Sequence, residues 1–151
     1  MDTVPFVSGT RTYVIDTDLE RIDLAKVHHW LSTDAFWALG RSQETVERAA
    51  KASLNFGVYD AAGGLCAYAR VVTDRATFAW LCDVYVDRDH RGEGLGLLLA
   101  QAVVDELAPM DLKRVLLSTA DAHGLYEKAG FVTMPDPHKL MVLEPARTNE
   151  S

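Results

Sequence analysis

The sequence predicts an α/β (α+β) domain with a mixed, mostly antiparallel central sheet and helices on both faces. Three observations carry that expectation. Strand and helix periodicities alternate along the 151 residues with no Pro-, Gly- or Ser-rich linker, so residues 1–151 read as one domain. Apolar runs at 56–60, Leu65–Thr73 and Phe78–Val86 are separated by turn residues at 61–64 and near Asp74 and Arg75, which is hairpin spacing and therefore antiparallel pairing. The last run then leads straight into a glycine-rich turn and an apolar helix.

In chain order, Arg11–Asp16 (RTYVID) reads as the opening strand. Residues 19–31 place Ile22, Leu24, Ala25 and Val27 near helical spacing, giving a first amphipathic helix. Thr33 and Asp34 are capping types and start a short second helix holding Phe36, Trp37 and Leu39, which Gly40 ends. Ser42 precedes a third helix with Val46, Ala49, Ala50 and Ser53 on one side. Beyond the three hairpin-linked strands, Leu95, Leu99, Ala102, Val103 and Leu107 make the buried stripe of a helix that Pro109 terminates. Residues 115–119 read as a strand, 122–129 as a helix closed by Gly130, and 131–133 and 139–143 as the final strands. The tail EPARTNES is expected to be mobile.

Chemistry concentrates in residues 84–99, VYVDRDHRGEGLGLLL. A turn carrying Gly92, Gly94 and Gly96 lets several N–H groups converge, and the helix that begins there adds unsatisfied donors and the positive end of its dipole. The product is an anion cradle. A nucleotide P-loop needs Lys and then Ser or Thr after its last glycine, whereas Leu97 and Leu98 follow Gly96. A dinucleotide fingerprint needs a small residue at Leu97 or Leu99, depending on register, and fails in both. What remains is R-x-x-G-x-G, filled by Arg91, Gly94 and Gly96.

That loop resembles the coenzyme A loop of the GNAT family of N-acetyltransferases. A second match strengthens it: residues 122–131, AHGLYEKAGF, resemble the family segment A-x-x-L-Y-E-K-x-G-F at the expected distance downstream. Together the two cover residues 65–133, and the predicted order of elements agrees with the family's fold. Residues 37–60 also resemble a bacterial subgroup whose acceptors are mostly unassigned.

The resemblance implies a set of roles. The pyrophosphate of acetyl-coenzyme A, the co-substrate, falls to Arg91, Gly92, Glu93, Gly94, Leu95 and Gly96. Glu93 is expected to turn its side chain to water while its N–H contributes, with Arg88 and Arg91 supplying compensating charge. The strand before the loop splays from its neighbour in this family, which gives the backbone of Val84, Tyr85 and Val86 the pantetheine arm and the thioester carbonyl. Thr119 stands where many relatives carry an Asn that bonds the pantetheine. Tyr126 matches the tyrosine that protonates the departing thiolate; a phenol with a reference pKa near ~10 stays protonated at neutral pH, and the alternative is an amphipathic core tyrosine.

Strand alternation puts Leu81, Asp83 and Tyr85 on one face and Cys82, Val84 and Val86 on the other. A carboxylate in an apolar strand needs a partner or a purpose. Asp83 is accordingly a candidate general base, or a residue that orients a cationic acceptor, or a structural carboxylate bonded to backbone donors. The acceptor side is drawn from the aromatics Trp30, Trp37, Tyr59, Tyr68, Trp80 and Tyr85, with Trp37, Asp83 and Tyr85 as candidate substrate-binding residues.

Composition sets the outer bounds. With 48% hydrophobic and 25% charged residues the chain has the composition of a soluble protein, and a formal net charge of −7 argues against a nucleic-acid surface. An acidic cleft concentrates amines. No apolar stretch approaches a membrane span and the N-terminal residues show no secretory signal, so no membrane partner and a cytoplasmic location are expected. Cys66 and Cys82 lack metal or redox spacing and read as buried free thiols, and His28, His29, His90, His123 and His138 show no paired ligand spacing, so no metal is expected. Members of the family are often homodimers, and the final strands near residues 139–143 offer an edge for association. The leading function is transfer of acetyl from acetyl-coenzyme A directly to a primary amine of a small molecule. A protein lysine or N-terminal acetyltransferase and a non-catalytic acyl-coenzyme A sensor are the alternatives.

Overall fold

A computed structural model describes residues 5–144; the tail from residue 145 lies outside them. Six strands form one sheet in the order of the chain: β1 (Phe6–Ser8), β2 (Arg11–Asp16), β3 (Leu54–Asp60), β4 (Leu65–Thr73), β5 (Phe78–Val86) and β6 (Arg114–Leu117). The first four pairings are antiparallel and β5 with β6 is parallel, because the connection between those two is a helix, α3 (Leu95–Leu107), rather than a hairpin. Asp60 and Asp74 close the hairpins on either side of β4. The Asp60 Oδ1 accepts from the N–H of Ala62 and Gly64, and the Asp74 Oδ1 accepts from Ala76, Thr77 and Phe78.

Each face of the sheet buries one core. On one side α3 lays Leu95, Leu99, Ala102, Val103 and Leu107 against Phe56, Val58, Ala67, Val71 and Leu81, the stripe expected from its spacing. On the other side α1 (Leu24–Asp34) and α2 (Gln43–Lys51) cover Tyr59, Tyr68 and Tyr85 with Val27, Trp30, Leu31 and Val46. Burying each such aliphatic side chain contributes about 1.5–3 kcal/mol. A short helix α4 (His123–Lys128) follows β6 and packs on α3, with the Leu125 side chain against Gly96.

Three expectations about local structure are corrected. The first helix does not run continuously from residue 19: Asp18 caps a single 3-10 turn at Leu19–Arg21, and Asp23 then caps α1 by accepting from the Lys26 N–H at 3.1 Å. Asp34 ends α1 instead of starting a second helix. Residues 35–41 are turns, because the chain leaves the helix extended at Ala35 and Gly40, at φ +78°, donates its N–H back to Ser32. Nor do residues 131–133 and 139–143 pair as strands. Pro135 and Pro137 interrupt them, residues Pro137–Lys139 wind into a 3-10 turn, and Leu140, Met141, Val142 and Leu143 are left exposed.

The Tyr59 hydroxyl on β3 is the one buried side-chain N or O without a hydrogen-bond partner among the described residues, and burial pushes its pKa up to about 12. Its ring lies under the Arg21 guanidinium at 3.8 Å, a contact that phenylalanine keeps. Tyr59→Phe is therefore expected to stabilise the fold by about 1 kcal/mol, read as a raised melting temperature. A drop would mean the hydroxyl has a partner.

Candidate active site

The site is built where β5 outruns its neighbour. Its pairing with β6 stops at Leu81 and Leu117, while β5 itself continues to Val86. Beyond that point the β6-facing backbone groups of β5 have no partner strand and, apart from the Val86 carbonyl that Arg91 occupies, are available to something else. On the β4 side the ladder changes register between Tyr68 and Arg70, so one extra residue of β5 is accommodated there. Asp83 takes it up in the left-handed region at φ +52°.

This bulge overturns the simple alternation. Leu81 faces the α3 core, but so do Val84 and Val86, while Tyr85 faces α1 and stacks on Trp30 at 5.2 Å. Asp83 is 5% exposed, and both of its oxygens are engaged. Oδ1 accepts from the Trp37 indole N–H at 3.1 Å, and Oδ2 accepts from Arg41 at 2.8 Å and Arg70 at 2.9 Å. Burial opposes its charge, but the two guanidiniums outweigh that cost and hold the carboxyl below its ordinary range.

From Val86 the chain makes a 3-10 turn at Arg88–His90 and enters the glycine turn. Gly92 and Gly94 sit at φ +83° and +82°, a conformation that glycine alone adopts freely. Gly94 is the residue before α3 and has no side chain to cap it, so the first-turn N–H groups of Leu95, Gly96 and Leu97 are open. These donors border a cleft of about 990 Å³ that also contains the backbone of Val84–Val86, the side chains of Asp34, Trp37 and Arg91, and Asp121, Leu125 and Lys128 from the other wall. An anionic group fits this turn, since the positive φ values and the uncapped helix leave main-chain donors with nothing else to bind.

A charge network missed in the sequence frames the mouth. Asp34 accepts from the Tyr85 hydroxyl at 2.6 Å, from Arg88 at 3.0 Å through Nε and again through Nη2, and from Arg91 at 3.3 Å. Arg88 first, then Tyr85, hold its carboxyl well below the usual carboxylate range. Arg91 also donates to the Val86 carbonyl at 2.9 Å and lies over the Tyr85 ring. The two arginines are thus partly neutralised rather than free to offset an anion. Glu93 differs from expectation as well: its Oε1 accepts from Ser8 at 2.6 Å and ties the loop to β1 instead of pointing to water.

Helix α4 separates this cleft from a second cavity of about 900 Å³, lined by Trp80, Ser118, Thr119, Tyr126 and Phe131 among others. Gly124, Leu125 and Lys128 face the first, His123, Tyr126 and Glu127 the second. Tyr126 is half-buried against Phe131 and burial raises its pKa, and the Thr119 hydroxyl accepts from the Ala122 N–H at 3.0 Å. The structure therefore gathers Trp37, Val84, Tyr85, Val86, Arg91, Gly92, Gly94, Leu95 and Gly96 around one cleft. Asp83 lies behind Trp37, and Tyr126 and Thr119 lie across α4.

The site is thus an open seam between parallel strands that ends at a main-chain anion cradle. The acetyltransferase (GNAT) family model matches residues 24–131. A GNAT-family acetyltransferase structure from Xanthomonas campestris superposes with a TM-score of 0.82 at 39% identity, covering 88% of this chain and 93% of that one. The ribosomal-protein alanine N-acetyltransferase of Escherichia coli superposes with a TM-score of 0.63 at 29% identity, over 78% of this chain and 76% of that one. A Gibberella zeae protein named as an acetyltransferase is 28% identical over 135 residues, 77% of this chain and 76% of its own length. The chain belongs to the acetyltransferase (GNAT) family and is an acyl-coenzyme A-dependent acetyltransferase. Among the described residues no helix is long and apolar enough to cross a membrane.

Proposed function

We propose that the protein transfers acetyl from acetyl-coenzyme A directly to a primary amine of a small molecule. The observation that carries this reading is the continuity of one cleft from the glycine turn, past the edge of Val84–Val86 that β6 leaves uncovered, to Trp37 and Tyr85. When bound, the co-substrate supplies an activated thioester; the chain's own groups bind and orient. Gly92, Gly94 and the N–H groups of Leu95, Gly96 and Leu97 hold the diphosphate. The main chain of Val84–Val86 holds the arm and polarises the carbonyl, a task for fixed dipoles that needs no particular side chain. The acceptor approaches from the Trp37 and Tyr85 side.

Tyr126 is the proposed acid for the departing thiolate. Burial raises its pKa and so keeps the phenol protonated through neutral pH; its ring lines the second cavity, on the far side of α4 from the glycine turn, so the role requires α4 to shift when the carrier binds. Tyr126→Phe is expected to lower turnover by about a hundredfold, with acetyl-coenzyme A affinity unchanged within about threefold. Equal turnover would remove it from the mechanism. For Asp83, oxygens already occupied by Trp37, Arg41 and Arg70 favour positioning the acceptor wall over taking a proton. Water in the cleft then receives the ammonium proton before attack.

A protein N-terminus or lysine is the second reading. It is favoured by Phe36, Trp37 and Leu39, exposed by 70%, 43% and 53% beside the cleft, and by the ribosomal-protein acceptor of the Escherichia coli relative. Calorimetric binding of acetyl-coenzyme A, with thiol release measured on parallel panels of small amines and peptides, tests both. Saturable binding with turnover on small amines supports the first, turnover on peptides alone supports the second, and absence of binding sinks both.

A further inference from the structure

Behind the anion loop stands a group of side chains that the acetyl-transfer chemistry does not use. Asp60 at the end of β3, Cys66 at the start of β4 and His90 at the end of the turn before Arg91 bring one ligand atom each to within 4.8 Å of one another. We propose that Asp60, Cys66 and His90 form a zinc-class transition-metal site that clamps the β3–β4 hairpin to the entry of the anion loop. The sequence suggested no metal, because the three ligands come from separate elements and show no motif spacing.

The donor set and its geometry point to that class of ion. Thiolate, imidazole and carboxylate together suit Zn²⁺ and its spectroscopic analogue Co²⁺, whereas Mg²⁺ and Ca²⁺ prefer oxygen alone. Cys66 Sγ lies 3.5 Å from His90 Nε2. Zinc bonds of about 2.3 Å to sulfur and about 2.0 Å to nitrogen, at a tetrahedral angle, separate those atoms by about 3.5 Å. The carboxylate completes the set by a rotation: both backbone donors of Asp60 go to Oδ1, which leaves Oδ2 for the ion.

The imidazole is already oriented. Nδ1 of His90 is 2.8 Å from the Tyr13 hydroxyl, which can accept its proton and leave Nε2 unprotonated towards Cys66. Arg11 Nη1 also approaches Nδ1, at 3.1 Å, but has the Asp89 carbonyl at 2.9 Å as an alternative acceptor. Cys66 is buried, while Asp60 and His90 are half-buried, so the ion can enter from their side and keep a water in the fourth position. Lys26, bonded to the Leu65 carbonyl, and Asp87 flank the group with one charge of each sign. Binding forms a metal–sulfur bond and releases the Cys66 thiol proton to the buffer.

Titration of the metal-free protein with Co²⁺ tests this. The expected result is a near-ultraviolet thiolate-to-cobalt absorption, with visible bands of a tetrahedral ion, saturating at one equivalent and abolished by added Zn²⁺. Cys66→Ser should remove the near-ultraviolet band, while Cys82→Ser should leave it intact. Tyr13→Phe, which keeps all three ligands, should weaken Zn²⁺ binding by about tenfold. Circular dichroism and acetyl-coenzyme A binding monitor folding, and Asp60→Asn replaces Cys66→Ser if the latter does not fold. A wild-type protein without a saturable signal overturns the proposal, and so does a band that survives Cys66→Ser or follows Cys82.

Discussion

Asp83→Ala is expected to destabilise the protein by about 3 kcal/mol or more. Removing one partner of a buried ion pair strands the others, and here two guanidiniums converge on one carboxylate with side-chain exposures of 21%, 15% and 3% for Arg41, Arg70 and Asp83. Alanine also fits poorly at φ +52°, which adds about 1 kcal/mol. Asp83→Asn separates the two effects, because asparagine tolerates the left-handed region and keeps an acceptor oxygen. Its loss is expected to be smaller than that of alanine. If Asp83 were the general base, asparagine would cost about a hundredfold or more in turnover and remove the acidic limb of the pH–rate profile. A positioning carboxylate predicts instead less than about a tenfold loss with the profile's shape retained.

The same carboxylate gives a pH dependence of fixed sign. The folded state lowers the Asp83 pKa relative to an unfolded reference near ~3.9. Its stabilisation is therefore fully present above that reference and is lost as pH falls through the lower, folded value. Wild-type stability should fall below about pH 4 more steeply than that of Asp83→Asn, which carries no titrating group at this position.

How much of this was legible in the chain depends on the range of the interaction that decides it. The hairpins β3–β4 and β4–β5 and the helix α3 follow from local rules: Leu65–Thr73 and Phe78–Val86 match their expected bounds, and the expected stripe of Leu95, Leu99, Ala102, Val103 and Leu107 is buried. Asp60, Asp74 and Gly94 act on their own neighbours, so their turns are written where they occur. The face of Val84 was not readable, because period-two counting assumes an unbroken ladder and the extra residue at Asp83 is visible only beside Tyr68 and Arg70. Asp34 was misread for a related reason. Its residue type suits the start of a helix, yet at the C-terminus of α1 it opposes the dipole and is kept there by Tyr85, Arg88 and Arg91, more than fifty residues away. The terminal strands failed in the opposite direction: the apolar run Leu140, Met141, Val142 and Leu143 signals a surface that wants covering, but a strand exists only where a partner edge is within reach.

Gly94→Val is expected to weaken acetyl-coenzyme A binding by about thirtyfold. A side chain at φ +82° costs about 1–2 kcal/mol, with the upper end appropriate to a branched residue. A Cβ built there meets only the Phe6 ring, at 3.5 Å, so the penalty is conformational rather than a clash. Where that strain appears is decided by whether the turn can relax in the free protein. Gly92, two residues before it, has nothing within 4 Å of an added Cβ, and past Arg91, which is held by Asp34 and the Val86 carbonyl, the turn's side-chain tether is a single bond from Ser8 to Glu93. The free turn can therefore move out of the left-handed region and shed the strain, and the ligand must restore it. About 2 kcal/mol then shows as lost affinity, a factor of about thirty, with little change in melting temperature. Were the turn rigid instead, the same energy would appear as lost stability with affinity intact. The sum of the two losses, measured by calorimetry and by denaturant unfolding, is accordingly fixed near 2 kcal/mol, and a variant that loses neither would show that the cradle does not depend on Gly94.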